Sequence, residues 1–503
     1  MNCFLGIDIG TTGCKSVIFD NNGVQVSLTY REYDTISDNP GWVELNTEEV
    51  ISKCFEVIKE SVSAVPPGSV KSIGISSQGE AFTMLDRSGS ALCNAFVSSD
   101  SRADPYVKSW TGEFGDKKLY QITGHTSHPM FSLFKLLWVR DNMSEVWERC
   151  HRILCFEDLL QYRLGIKSPA ISWSLAGRTM LFDVREHCWS EKILESIGIR
   201  KEQLSVPLPS GRIAGYVDEG IANQLNLSGK VAVVTGGHDQ PCSALGAGAV
   251  KPGVAVYASG TVECITPAFE KPVFSEELRK YNFCTYDHAA TGLYATLALS
   301  LTGGNLLKWF RDEFGQQEKE IGKIEHADPY ELLLRQMPAA PTGLLVLPYF
   351  TPSGTPYFDT AVKGTILGLD LSTTRGEILK ALIEGVAFEI KLSLEILEQA
   401  GYIVNELRAI GGGAKSDLLI RLKSDILNKP ITTPDITEAG CRGAAILAKA
   451  AYDNIGIDEI IDRWVKPGQV ILPRGNDLYS EKFQKYKKLY AKLKRDFYQD
   501  EDG

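Results

Sequence analysis

Short apolar runs alternate with glycine-bearing turns along the first eighty residues. Phe4 to Ile9, Lys15 to Phe19 and Val24 to Leu28 each carry the hydrophobic content of a strand. Asn21-Asn22-Gly23 supplies the turn between the second and third. The period then changes to that of a helix. Val50, Ile51, Cys54, Phe55 and Ile58 form one stripe, behind an Asn46 cap with Glu49 three residues on. Ser72 to Ser76 reads as a further strand, ending in the loop Ser77-Gln78-Gly79-Glu80.

Near residue 250 the pattern restarts. Val254 to Ala258, the turn Ser259-Gly260-Thr261 and Val262 to Thr266 echo the strand, Gly10-Thr11 turn and strand of the N-terminus. This predicts a duplication, with two related lobes offering one Gly-Thr turn each to a shared cleft. The expected lobes are residues 1–247 and 248–503, joined through Ala247 to Gly253. The second half adds a long helix capped by Thr374 and Glu377 and ended by Gly401. Beyond it come a strand from Leu407 to Ile410 and a small-residue helix from Ala439 to Ala451. One amphipathic helix is expected from Ser480 to Phe497. Strands and helices mixed in both halves indicate the α/β class.

Composition narrows the partners. The 503 residues exceed one ordinary core, and 44% hydrophobic with 23% charged residues is globular. The net charge of −10, without a basic block, argues against nucleic acid and against an anionic membrane. No apolar run approaches a membrane span, and Met1-Asn2-Cys3-Phe4-Leu5 carries no basic leader. Eleven cysteines without a Cys-x-x-Cys pair read as reduced residues of a cytoplasmic protein. The seven histidines show no metal-ligand spacing.

Two motifs carry chemistry. An apolar run, Val231 to Val234, delivers Asp239 through Gly236-Gly237-His238 onto a turn, where a carboxylate can take a proton from a hydroxyl; it can equally be a turn former. His238 reads first as a structural hydrogen-bonding residue. In Asp8-Ile9-Gly10-Thr11-Thr12-Gly13-Cys14-Lys15, Gly10 lets backbone N–H groups approach phosphate, and Thr11, Thr12 and Lys15 add donors. Asp8 could hold Mg²⁺ through water. The spacing is not that of a Walker loop, and an ordinary hairpin with a buried Asp is the plain alternative. Gly304 and the run Gly411 to Ala414, including Gly412 and Gly413, suit close approach of a nucleotide or simply make turns. Gln78, Glu80, Asp100 and Arg102 suit sugar hydroxyls, though Asp100 and Arg102 could form a surface pair.

These residues together resemble the FGGY family of carbohydrate kinases over essentially the full length. Met130 to Asn142 is similar to one family signature. Gly364 to Leu369, continuing to Glu377-Ile378 and Ala381 to Glu384, is similar to the second. The resemblance implies two actin-like (ribonuclease-H-like) lobes around a central cleft, with ATP between them and a small sugar or polyol held deep. It implies Asp239 as base, with Gln240 beside it in the substrate set. Gly10, Thr11, Thr12, Gly260 and Thr261 would cradle phosphates, Gly304 and Gly412 to Ala414 would line the nucleotide, and Asp8 with Asp239 would position Mg²⁺. Homodimers are common in the family.

The acceptor signature is a mosaic. Xylulose kinases carry Met-His after the Gln and a Trp-Asn-Asp-x-Arg run; only Asp100 and Arg102 are kept here. Glycerol kinases carry Gln-Arg-Glu, of which Gln78 and Glu80 remain around Gly79. His128-Pro129-Met130 matches gluconate kinases. A pentulose is the expected acceptor, ahead of gluconate, glycerol or a tetritol. An actin-like binding protein that uses ATP as a switch is the reading from another class.

Overall fold

The computed structural model describes residues 2–497 apart from Thr437 and Asn476. The first large sheet runs in the order Ile213–Tyr216, Ala232–His238, Val70–Ser77, Cys3–Ile9, Gly13–Asp20, Gln25–Glu32. The second runs Gln469–Ile471, Ile431–Thr433, Glu406–Ile410, Val254–Ser259, Glu263–Phe269, Tyr294–Ala295, Tyr286–Asp287, with Ala298–Ser300 also on Glu263–Phe269. In each the outer pairing is antiparallel, the next two are parallel, and the remaining ones are antiparallel. Equal topology at both ends is the physical content of the duplication read from the two Gly-Thr turns.

Local chemistry explains the elements. Cys3–Ile9 is apolar almost throughout because it lies inside its sheet, with helices on both faces. Asn46 accepts the N–H of Glu49 at 3.1 Å and starts the helix Thr47–Ser63, whose buried face is the predicted stripe. Thr374 and Glu377 close a complete capping box on Arg375–Gln399. The tail departs from expectation. It forms two helices, Asp477–Tyr486 and Leu489–Phe497, that bury Phe483, Tyr486 and Leu489 against Arg375–Gln399.

Two helices tie the lobes together. Asp239–Gly246 packs on Ala439–Asp453, which itself lies across the first sheet although it comes from the second half of the sequence. Their backbones meet at glycines. A Cβ on Gly443 would stand 1.9 Å from the Cys242 carbonyl oxygen, and one on Gly246 would stand 1.9 Å from that of Ala439. No helix among the described residues is long and apolar enough to cross a membrane.

Candidate active site

The strand Ala232–His238 departs from regular pairing at Gly236, where its register against Val70–Ser77 shifts. A bulge of this kind bends a strand and re-aims the chain beyond it. The chain beyond it begins with Asp239, which is the first residue of a helix and does not sit on the loose turn expected from Gly236-Gly237. Both glycines are needed for packing: a Cβ at 236 would lie 2.0 Å from Ile75 O, and one at 237 would lie 2.5 Å from Ser174 Oγ.

Asp239 Oδ1 is buried and receives no hydrogen bond among the described residues, though His238 Nε2 lies 3.1 Å away; the side chain as a whole is 31% exposed. Burial, the Asp8 charge and the Glu80 charge raise the Asp239 carboxyl to about 7. The opposite happens to His238. Burial, then Arg178 and His125, hold it well below the usual imidazole range, and its Nδ1 meets the Tyr286 hydroxyl at 3.1 Å. Gln240 adjoins Asp239, with an Oε1 that is likewise buried and unpartnered.

Glu80 and Arg178 form a buried ion pair, with side chains 4% and 5% exposed. Glu80 holds a positive φ of 59°, strained for a residue with a Cβ, and Ser132 Oγ donates to its carbonyl at 2.7 Å. Arg178 also meets His125 Nε2 at 3.1 Å and lies over the rings of Phe131 and Tyr286. Gly79 leaves room for this cluster, since a Cβ there would come within 2.9 Å of His238 Nε2. Sequence reasoning missed Arg178, His125 and Tyr286, which come from three distant segments without a motif.

The first Gly-Thr turn closes the other side. Asp8 receives Ser76 Oγ at 2.6 Å, and burial raises its pKa against the opposing pull of Ser76 and Lys15. Gln78 belongs to this turn: its Nε2 donates to Gly10 O at 2.9 Å, and its Oε1 accepts from Thr11 Oγ1 at 3.0 Å. The Thr12 carbonyl takes the Tyr33 N–H. Lys15 pairs with Glu438 at 2.8 Å. Asp100 and Arg102 form a buried bidentate pair, and the charges of both and of Glu80 act on Lys135. Arg102 also reaches Glu44 and is boxed by Trp42, Phe96 and Trp138.

The second turn borders a cavity of about 650 Å³. Gly260, Thr261, Gly304, Gly412 and Gly413 line one side, and Leu334, Leu382, Ile383, Val386 and Leu419 make an apolar wall. The N–H of Gly304 donates to Gly260 O at 2.9 Å, and that of Asn305 to Thr261 O at 3.0 Å. Ala414 turns back from the cavity, its N–H on Gly411 O. Lys423, a residue with no sequence signal, reaches Ser259 Oγ at 2.8 Å and Glu263 Oε1 at 2.5 Å beneath the turn. An apolar slot beside glycine turns suits a nucleotide: base against the wall, phosphates toward the N–H groups.

Comparison with known proteins bears on this geometry. Residues 3–246 match the N-terminal domain, and residues 255–452 the C-terminal domain, of the FGGY family of carbohydrate kinases. The xylulose kinase of Bacillus subtilis (strain 168) is 28% identical, covering 98% of each chain. A gluconokinase of the same strain is 27% identical over 90% of this chain and 88% of its own. The crystal structure of a ligand-bound xylulose kinase from Lactobacillus acidophilus superposes with a TM-score of 0.89 over 99% of each chain, at 22% identity.

Proposed function

Since the chain belongs to the FGGY family of carbohydrate kinases, with two actin-like lobes, we propose that it transfers the γ-phosphoryl group of ATP to a terminal hydroxyl of a small neutral ketose or polyol, a pentulose first. One observation carries the reading. Asp239 keeps its side chain 31% exposed although its Oδ1 is buried, and its carboxyl is raised to about 7. A partly exposed carboxylate of that basicity is placed to receive a hydroxyl proton.

Phosphoryl transfer needs alignment and charge neutralisation more than covalent help. The N–H groups of Thr11, Thr12 and Thr261 would bind phosphate oxygens, those of Gly10 and Gly260 being taken by Gly13 O and Val262 O, with Gly304, Gly412 and Gly413 along the nucleotide. Lys15 would exchange Glu438 for phosphate. Asp8 and Asp239 fit a hard divalent cation: both are carboxylates, and they stand close enough for the Asp8 charge to raise the Asp239 carboxyl. Bound Mg²⁺ supplies charge neutralisation on the phosphates. Glu80, Asp239 and Gln240 would meet the acceptor, while Gln78, Asp100 and Arg102 frame its pocket.

Charge selects the acceptor class. Arg178 is spent on Glu80, and Asp8 and Asp239 add negative charge. With Arg178 held by Glu80, an aldonate carboxylate would gain no pairing from it, so a neutral sugar is favoured over gluconate. The reading includes a cytoplasmic enzyme with lobes divided at residues 247 and 248. The eleven unpaired thiols support that compartment.

The test is a coupled ADP-release assay with D-xylulose, D-ribulose, glycerol, erythritol and gluconate. Acceptor-dependent ADP release is expected with a pentulose. ATP hydrolysis indifferent to every acceptor would turn the assignment toward an ATP-switch binding protein. Turnover with gluconate alone would overturn the charge argument.

A further inference from the structure

Bending a strand at Gly236 leaves a backbone N–H that no neighbouring strand can take, and a buried N–H without an acceptor is costly. Here the acceptor is a side chain. Glu157 Oε1 receives Gly236 N–H at 2.8 Å. Its other oxygen receives Ser172 N–H at 3.0 Å and Ser172 Oγ at 2.7 Å. Glu157 lies near the start of the helix Phe156–Arg163 and is 0% exposed. Among the described residues no cation is bonded to it; three donors hold the charge.

The two partners lead to the two groups that matter on the cleft floor. Three residues after Gly236 comes Asp239. Ser172 ends the strand Ala170–Ser172 and precedes the helix Trp173–Gly177, and Arg178 follows that helix directly. Ser174, in the same helix, accepts the His238 N–H at 3.2 Å. One carboxylate therefore joins the segment that carries the base to the segment that carries the partner of Glu80.

We infer that Glu157 is a positioning residue for the transfer step, fixing through Gly236 and Ser172 the placement of Asp239 relative to Arg178 and Glu80. It touches neither nucleotide cavity nor acceptor floor, and the inference rests on Asp239 being the base. Burial raises the Glu157 carboxyl to about 7, which agrees with a charge kept only by its donors. An amide cannot replace it. A glutamine has one acceptor oxygen, and its NH₂ would face a backbone N–H on the other side.

The experiment compares wild type with Glu157→Gln, using ATP, Mg²⁺ and whichever of D-xylulose, D-ribulose, glycerol, erythritol or gluconate the wild type turns over best. Expected is a kcat lower by about tenfold to a hundredfold, the scale of a displaced catalytic group. KM for ATP and calorimetric ADP affinity should stay within about twofold, since the glycine turns are untouched. An unchanged kcat overturns the inference. So does a parallel loss of kcat, ADP affinity and melting temperature, which marks a merely structural residue. If Glu157→Gln does not fold, Ser172→Ala removes one donor of three and keeps Gly236; a smaller kcat loss with ADP affinity intact supports the inference, and none overturns it. A wild type that transfers phosphate to no acceptor sinks the kinase reading itself, and this inference with it.

Discussion

Asp239 Oδ1 stands 3.1 Å from His238 Nε2, yet the two are tuned in opposite directions. Burial first, then neighbouring charge, raises the carboxyl to about 7 and drives the imidazole far below neutrality. The pair therefore carries at most one charge near pH 7, and it sits on the carboxylate. A base works only after losing its proton, so kcat/KM should rise with pH through about 7 and fall about tenfold per unit below it. Asp239→Asn should cost about 10²–10⁴-fold in kcat while ADP binding survives. His238→Gln should keep the acid limb. A pH–rate profile on the three proteins decides it, and a limb that vanishes with His238 and remains in Asp239→Asn reverses the assignment.

Arg178 and Glu80 give a second prediction. Each is almost fully buried and each is the other's ionic partner. Arg178→Met leaves a lone buried carboxylate, which costs about 3–5 kcal/mol. Adding Glu80→Gln removes that charge and should recover most of the melting temperature. Acceptor KM should stay high in the double variant, because the polar floor is gone. Recovery of KM together with stability would take Glu80 out of the acceptor pocket.

Legibility in the amino-acid pattern divides along a physical line. The first strand, the Asn46 and Thr374 caps and the Gly10 and Gly260 turns are local: a few adjacent residues determine them, and they were legible. Arg178, Tyr286, Glu157 and Lys423 act across long separations, through pairings such as Glu80–Arg178 and Glu263–Lys423. Nothing in the neighbourhood of Arg178 marks it off from any surface arginine. Gln78 was read as a sugar-binding residue, whereas its side chain bonds the Gly10–Thr11 turn, because sequence cannot say which way a polar side chain faces. The expected turn at Asp239 became a strand and a helix because Gly236 and Gly237 serve close packing there, not left-handed backbone.

Lys423 anchors the second Gly-Thr turn. Its ammonium holds Ser259, the residue before Gly260, and Glu263, the second residue after Thr261. Lys423→Met frees that turn and strands Glu263 in the interior, so both stability and nucleotide binding should suffer. Glu263→Gln with Lys423→Met separates the two effects. The neutral pair should regain most of the stability, whereas KM for ATP should remain raised by about tenfold, or 1.4 kcal/mol. Acceptor KM should not move. Steady-state kinetics in both substrates, with thermal melts, check this; an ATP KM restored alongside stability removes the anchoring role.

The glycines between the helices Asp239–Gly246 and Ala439–Asp453 yield a prediction whose sign is set by geometry. Replacing a helical glycine by alanine ordinarily stabilises by about 0.5–1 kcal/mol, because the unfolded chain loses freedom. Gly112 in the helix Asp104–Phe114 meets that condition, with nothing within 4 Å of the added Cβ. Gly443 does not: its Cβ would lie 1.9 Å from the carbonyl oxygen of Cys242, a backbone atom that cannot swing aside. Overpacking of this kind costs about 1–3 kcal/mol or more, which outweighs the entropy gain. One of the two helices must retreat, and one of the two is headed by Asp239, so kcat should fall along with the melting temperature. Gly112→Ala should instead raise the melting temperature slightly and leave kcat alone. Melting curves and kcat on the two variants, measured side by side, test the contact between the lobes; if Gly443→Ala shifts both quantities no more than Gly112→Ala does, the helices do not meet as closely as 1.9 Å requires.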